Sequence, residues 1–266
     1  VILAALISGE PLLLIGPHGT GKSYLLARTC EALALRWRHY NASLLNFDDL
    51  VGYPLPGDDG QLKYVQTPSS VWDAEAVFID EISRCRPDIQ NKLFPIIHER
   101  RVQGIELEHL IYRWSAMNPP QGDDDDPDNG YVGSEPLDLA LADRFAFVVR
   151  MPDWAQFTTA EQQQLILVAD TPPSPHAATR LRQLVETGQA LLPAVRRQLA
   201  PKLAEYVQAA ASLLRSGGID LSARRAAILL RNIAAVHVAR LLAEPDTDPA
   251  ESALLALTHS VPDYAT

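Results

Sequence analysis

Short apolar runs alternate, through the first half of the chain, with segments whose apolar positions recur at helical spacing. Five runs read as strands: Leu12 to Ile15, about His39 to Ala42, Val77 to Ile79, Tyr112 to Met117 and Phe145 to Val149. Helical patterns fall between several of them, one running from Tyr24 to about Leu35. This is the signature of an α/β fold with a mostly parallel five-stranded sheet flanked by helices. Ligands of such sheets collect at the carboxyl ends of the strands. The loop from Gly16, the carboxylate of Asp80 and the amide of Asn118 all fall at such ends.

Past Met151-Pro152-Asp153 the strand signals stop. Leu203, Tyr206, Val207, Ala210, Leu213 and Leu214 line one helix face before a stop at Gly217-Gly218. Ala226, Leu229, Leu230, Ile233 and Leu241 line another behind a Ser222 cap, and Asp248-Pro249 reads as the cap and first position of a final helix. The expected organisation is an α/β core over 1–153 and a smaller all-α domain over 154–266, with prolines and glycines punctuating the latter. No internal repeat is found.

A chain of 266 residues, 47% of them hydrophobic, can bury one large core or two moderate ones. No apolar stretch reaches the roughly 18 residues a membrane span needs, and Val1 to Ile7 lacks the basic flank of a signal peptide. Cys30 and Cys85 carry no metal-ligand spacing and read as reduced thiols, so the expected location is cytoplasmic. A formal charge of -10 disfavours nucleic acid and anionic lipid, leaving protein as the default partner. Opening on Val1 implies removed upstream residues, where part of a base pocket would lie.

Candidate chemistry starts at Gly16-Pro17-His18-Gly19-Thr20-Gly21-Lys22-Ser23, which fills every fixed position of a phosphate-cradling loop and follows a strand. Its glycines let backbone N–H groups converge on phosphate oxygens, Lys22 reaches the β and γ phosphates, and Ser23 can ligate Mg²⁺. Tyr24 opens the helix whose positive end faces the same anion. An incidental glycine turn is the plain alternative. Ala76 to Ile79 delivers Asp80 and Glu81 to a strand end, where Asp80 would hold Mg²⁺ and Glu81 would polarise the attacking water. Asp80 as a helix cap is the other reading. Asn118, before Pro119-Pro120, can position that water or touch the γ phosphate, or it is simply a turn residue.

Together the loop, Phe78-Ile79-Asp80-Glu81, Ala116-Met117-Asn118-Pro119 and Ala142-Asp143-Arg144-Phe145 resemble an AAA+ ATPase, most closely of the MoxR group. Glu81 to Pro87 through Gln90 to Leu93, Glu99 to Gly104 and Gly133 to Phe145 are similar to that group's signatures, and the likeness runs to about Arg150 and more loosely through a helical lid. The resemblance implies ATP and Mg²⁺ as cofactors and a ring, commonly of six subunits, with nucleotide held between neighbours. Arg144 would then reach the adjacent subunit's γ phosphate, the alternative being an ion pair with Asp143 or Asp138. Ser222-Ala223-Arg224 resembles the family's second sensor, which makes Arg224 the nucleotide contact, with Arg225 or a solvated arginine as the other readings. His18 departs from the small residue usual there.

The implied function is a chaperone that remodels a client protein, often one with a von Willebrand A domain, by ATP hydrolysis. A magnesium-chelatase-like motor, a nucleic-acid restriction motor and a slowly cycling nucleotide-gated scaffold are the alternatives. Gly52 to Tyr64 falls where the clade carries an insertion, and Val102 to Leu110 is a second hairpin candidate. Tyr53, Leu55, Leu62 and Tyr64 would grip substrate or pack the hairpin. The acidic run Asp123 to Asp128, with Glu135, partly resembles a calcium loop but lacks its glycine, so a solvated loop is expected. The ending Val261 to Ala265 coincides with part of an epitope tag and is read as native.

Overall fold

A computed structural model describes residues 1–57, 60, 62–119, 137–168 and 171–261. The acidic run, part of the third signature and the tag-like ending past Val261 lie outside the described residues. In chain order the core elements begin α1 (Ile2–Ser8), β1 (Leu12–Ile15), α2 (Lys22–Leu33), β2 (Trp37–Asn41), α3 (Phe47–Val51), β3 (Tyr53–Pro56) and β4 (Leu62–Val65). They continue with β5 (Ala76–Asp80), α4 (Pro87–Glu99), β6 (Arg101–Val102), β7 (Ile105–Glu106), β8 (Tyr112–Met117), α5 (Leu139–Ala142) and β9 (Phe147–Arg150). Helices α6 (Thr159–Val168), α7 (Pro175–Ser216), α8 (Ala223–Leu241) and α9 (Pro249–Ser260) follow.

The main sheet is parallel throughout, in the order β2-β5-β8-β1-β9. Both faces are covered, as the continuous apolar runs require, and the two-residue period of a strand sorts each run between two cores. Leu12, Leu14, Phe78, Trp114 and Phe147 face one core with α1, α2, α7, α8 and α9. Leu13, Val77, Ile79 and Val148 face the other with α3 and α4. The first core holds Ala4 and Leu26 together with Val185, Leu203 and Ile228, so residues on both sides of Asp153 share it.

Strand boundaries shift slightly from those expected. β2 starts at Trp37, and β9 starts at Phe147 because Phe145 N–H still closes the preceding turn onto Ala142 O at 3.1 Å. The larger departure is α7, one unbroken helix that passes through Pro193 and Pro201 where punctuation was expected. Each proline removes a helical hydrogen bond, but Leu203 and Val207 are buried and Gly188 sits where α7 meets α1, its ideal Cβ only 2.4 Å from Ile7 Cδ1. Tertiary burial outweighs local propensity here. Of the face foreseen on this helix, Leu213 is 74% exposed.

Two hairpins project from the core. β3 pairs with β4, Tyr53 opposite Val65, and β6 pairs with β7. Gly52 closes the first: its φ is 86°, and a Cβ there would lie 2.2 Å from Val65 O. Tyr64 Oη donates to Gln103 Oε1 at 2.6 Å and ties the hairpins together. Tyr53 and Leu55 remain exposed. Beneath them, every residue of β8 is buried, Arg113 included. Its guanidinium is satisfied by Ile97 O at 3.0 Å and by Gly9 O and Ile111 O at 2.6 Å, which pins the C-terminal ends of α1 and α4 to the central strand. No helix among the described residues is long and apolar enough to cross a membrane.

Candidate nucleotide site

The loop between β1 and α2 turns on glycines for two separate reasons. Gly19 and Gly21 have φ of 76° and 78°, a region that disfavours side chains. Gly16 has no room for one, since a Cβ would stand 2.8 Å from Met151 Cβ and 3.1 Å from Thr20 Oγ1. Thr20 Oγ1 closes the turn by donating to Pro17 O at 2.9 Å.

Lys22 is 8% exposed. Its Nζ donates to Gly16 O at 2.6 Å and Pro17 O at 2.8 Å, and approaches Asn118 Oδ1 at 3.3 Å. Burial lowers its pKa, while the charges of Asp80 and Glu81 pull the other way. Ser23 Oγ donates to Asp80 Oδ2 at 2.6 Å, and Glu81 N–H donates to Asp80 Oδ1 at 2.9 Å. Burial would raise the Asp80 pKa, but the nearby His39 imidazole and hydrogen bonds from Ser23 and the Glu81 amide outweigh it and hold the carboxyl below its ordinary value.

Glu81 adopts φ 53°, a left-handed conformation that non-glycine residues rarely take and that clusters at functional positions. Asn41 Nδ2 donates to its Oε2 at 3.3 Å, and Arg84 lies 3.6 Å from its Oε1. Asn41 and His39, whose Nε2 is 3.7 Å from Asp80 Oδ2, were not foreseen. The signal available was strand order: Asn41 is register partner to Asp80 across the β2–β5 pair.

The loop from His18 to Tyr24 together with Asn41, Asp80, Glu81 and Asn118 lines one cavity of about 210 Å³. Gly16 and Pro17 do not line it, and reach it only through the carbonyls that hold Lys22. A second, apolar cavity of about 400 Å³ shares His18 to Gly21 and Tyr24 and adds Trp154, Phe157, Leu165, Ile166 and Val168. Tyr24 Oη donates to Val168 O at 2.9 Å and links α2 to that wall. At the chain start, α1 is packed into the first core, with Ala4 and Ala5 fully buried.

Neither Arg144 nor Arg224 lines these cavities. Arg144 stacks its guanidinium 4.5 Å over the Phe94 ring and donates to Ala140 O. Arg224 Nη1 donates to Asp143 Oδ2 at 3.3 Å from a side chain 47% exposed. Arg225 differs from its neighbour: it is 2% exposed and donates to Phe145 O at 2.5 Å and Asp143 O at 3.4 Å. Arg224 and Arg225 therefore meet at Asp143, one on its carboxylate and the other on its carbonyl, whereas Arg144 turns to Phe94 and Ala140.

A phosphate cradle, a hydroxyl paired with a strand-end carboxylate and a neighbouring second carboxylate form a hard-oxygen donor set suited to Mg²⁺ and a triphosphate. The glycine geometry and the paired cavities fit a nucleotide.

The uncharacterized protein YojN of Bacillus subtilis (strain 168) is 28% identical over 159 residues, covering 55% of this chain and 49% of that protein. The chain thus spans about half the length of that relative. The crystal structure of a provisionally named ATPase from Cytophaga hutchinsonii superposes with a TM-score of 0.62 at 17% identity, over 98% of this chain and 79% of that one, a likeness of fold. Residues 11–145, half of the chain, match the AAA domain of the dynein-related subfamily, and the chain belongs to that family, with the AAA+ ATPase fold.

Proposed function

We propose that this chain is a MoxR-like AAA+ ATPase that binds ATP with Mg²⁺ and uses its hydrolysis to remodel a partner protein. The observation that carries the reading is the convergence of Lys22, Ser23, Asp80, Glu81 and Asn118 on one cavity beside an apolar one. Gly16 to Ser23 would hold the phosphates, Ser23 and Asp80 the Mg²⁺, and the apolar cavity the base, with Tyr24 at the junction. Bound Mg²⁺ would neutralise charge on the phosphate oxygens. Glu81, presented by its left-handed backbone, takes a proton from the attacking water, and Asn118 meets the γ phosphate.

Arg144, over Phe94, and Arg224, at Asp143, line neither cavity, which favours service to a neighbouring subunit's nucleotide in a ring, commonly of six. The 1–153 core supplies the cradle, and 154–266 supplies the cavity wall. The exposed hairpin residues Tyr53 and Leu55 suit contact with a client, for which a von Willebrand A domain protein in the cytoplasm is the family's usual choice.

The test is Glu81→Gln. This variant should bind ATP with an affinity close to wild type while hydrolysis falls by about 10²-fold or more, and as a bait it should retain client and neighbouring subunits in ATP. Full turnover by Glu81→Gln sinks the assignment of Glu81, and absence of any ATP turnover in the wild-type chain sinks the whole reading.

A further inference from the structure

Asn118 stands between partners that constrain opposite ends of its amide. Its Oδ1 is 3.3 Å from Lys22 Nζ, and its Nδ2 is 3.0 Å from His18 Nε2. An ammonium group has donors only, so the end facing Lys22 is the oxygen. The amide nitrogen then faces His18, and because it too only donates, His18 Nε2 must be the acceptor, with the ring neutral and its proton on Nδ1. One lysine thus sets an amide, and the amide sets a tautomer.

The direction of that amide matters to phosphate chemistry. A phosphate oxygen accepts hydrogen bonds, so the Nδ2 end attracts it and the Oδ1 end repels it. Lys22 holds the oxygen end only at 3.3 Å and must turn toward phosphate when nucleotide enters. The shorter contact at 3.0 Å comes from a residue of the cradle itself, at a position where the loop pattern demands no side chain. Asn118 is 5% exposed at the end of β8, whereas His18 sits in the exposed turn.

We propose that His18 is a positioning residue: by accepting a hydrogen bond from Asn118 Nδ2, it holds the donor end of that amide toward the phosphate loop, so that Asn118 enters the hydrolytic step already oriented. This rests on the reading of Asn118 as the amide that meets the γ phosphate. Preorganised donors of this kind act on the transition state more than on substrate binding.

The experiment is steady-state hydrolysis of ATP with Mg²⁺ by the full chain and by His18→Ala, Asn118→Ala and the double variant. His18→Ala should lower kcat by about fivefold to tenfold with KM for ATP within about twofold of wild type. The same substitution made on Asn118→Ala should cost less than about twofold, because the group it acts through is gone. His18→Gln, whose side-chain carbonyl accepts in the same region, should recover much of the lost kcat. Unchanged kcat in His18→Ala, an equal loss in both backgrounds, or no recovery by His18→Gln would each overturn the positioning role. A fully active Asn118→Ala would remove the reading beneath it as well, whereas an impaired Asn118→Ala beside an unimpaired His18→Ala removes the role of His18 alone.

Discussion

Neighbouring arginines at the start of α8 should separate cleanly into a stabilising one and a working one. Arg225 is buried and donates to the buried Phe145 O at 2.5 Å, so Arg225→Met keeps the aliphatic volume but orphans that carbonyl. A hydrogen bond to a charged group contributes about 1.5–3 kcal/mol, and an orphaned buried acceptor costs about 1–3 kcal/mol. Against this, methionine removes the desolvation cost of the guanidinium, which brings the expected loss to the low end, about 2 kcal/mol. For a chain of this size that is a fall in Tm of about 4–8 °C. Arg224→Ala removes a pair with Asp143 from a side chain 47% exposed. Exposed pairs are worth about 0–1 kcal/mol, so Tm should fall by no more than about 4 °C. ATP turnover by the assembled protein should nevertheless drop by at least about tenfold. Thermal unfolding by circular dichroism and a coupled ATPase assay on the same preparations decide it. Arg225→Met melting with wild type, or Arg224→Ala losing more stability than Arg225→Met, would refute the division of roles.

Arg144→Ala should bind ATP normally yet hydrolyse it about 10³-fold more slowly. Mixed with Lys22→Ala, which keeps its own Arg144, it should regain part of the activity, and mixed samples as inactive as either parent would contradict action across a subunit boundary. Burial pushes the Cys30 thiol up to about 12 and the Cys85 thiol up to about 11, so both stay protonated and unreactive through neutral pH and titrate only as pH rises past those values. A disulfide-exchange dye at pH 8 should therefore label neither at the rate of a free thiol until urea is added; rapid labelling of the folded chain would show the burial to be wrong. Tyr53→Ala and Leu55→Ala should spare basal ATP turnover while weakening client remodelling, and unaltered remodelling in both would discard the hairpin as a contact.

What could be read beforehand was chemistry carried on contiguous residues. The cradle, the Asp80-Glu81 pair and Asn118 each follow an apolar strand, so local pattern and strand polarity suffice to bring them to one edge. Asn41 and His39 reach the same place only through the register of β2 beside β5, information that no run of adjacent residues contains. The continuity of α7 through Pro193 and Pro201 depends on packing against α1 and α2, which overrides the local cost. Arg224 and Arg225 look equivalent as text, yet one helical step of about 100° turns one to solvent and the other into the protein. Trp154, Phe157 and the end of α6 belong to a region with no motif, and only their position against the loop gives them a role.

Helix α6 buries none of its residues, whereas α7 and α8 are fused into the first core. Peeling α8 away would bare Ile228, Leu229, Ile233 and Val236, each buried to within 2%. At about 1.5–3 kcal/mol for each such side chain, that rupture would cost about 6–12 kcal/mol, as much as many whole domains have in reserve. On the proposed reading, a nucleotide cycle that leaves the fold intact would be felt through the loosely seated helix, whose tilt over the apolar cavity would cost the Tyr24 Oη–Val168 O hydrogen bond but no core. The hydrolysing machine would flex at its thinnest wall, with the long helices as a chassis.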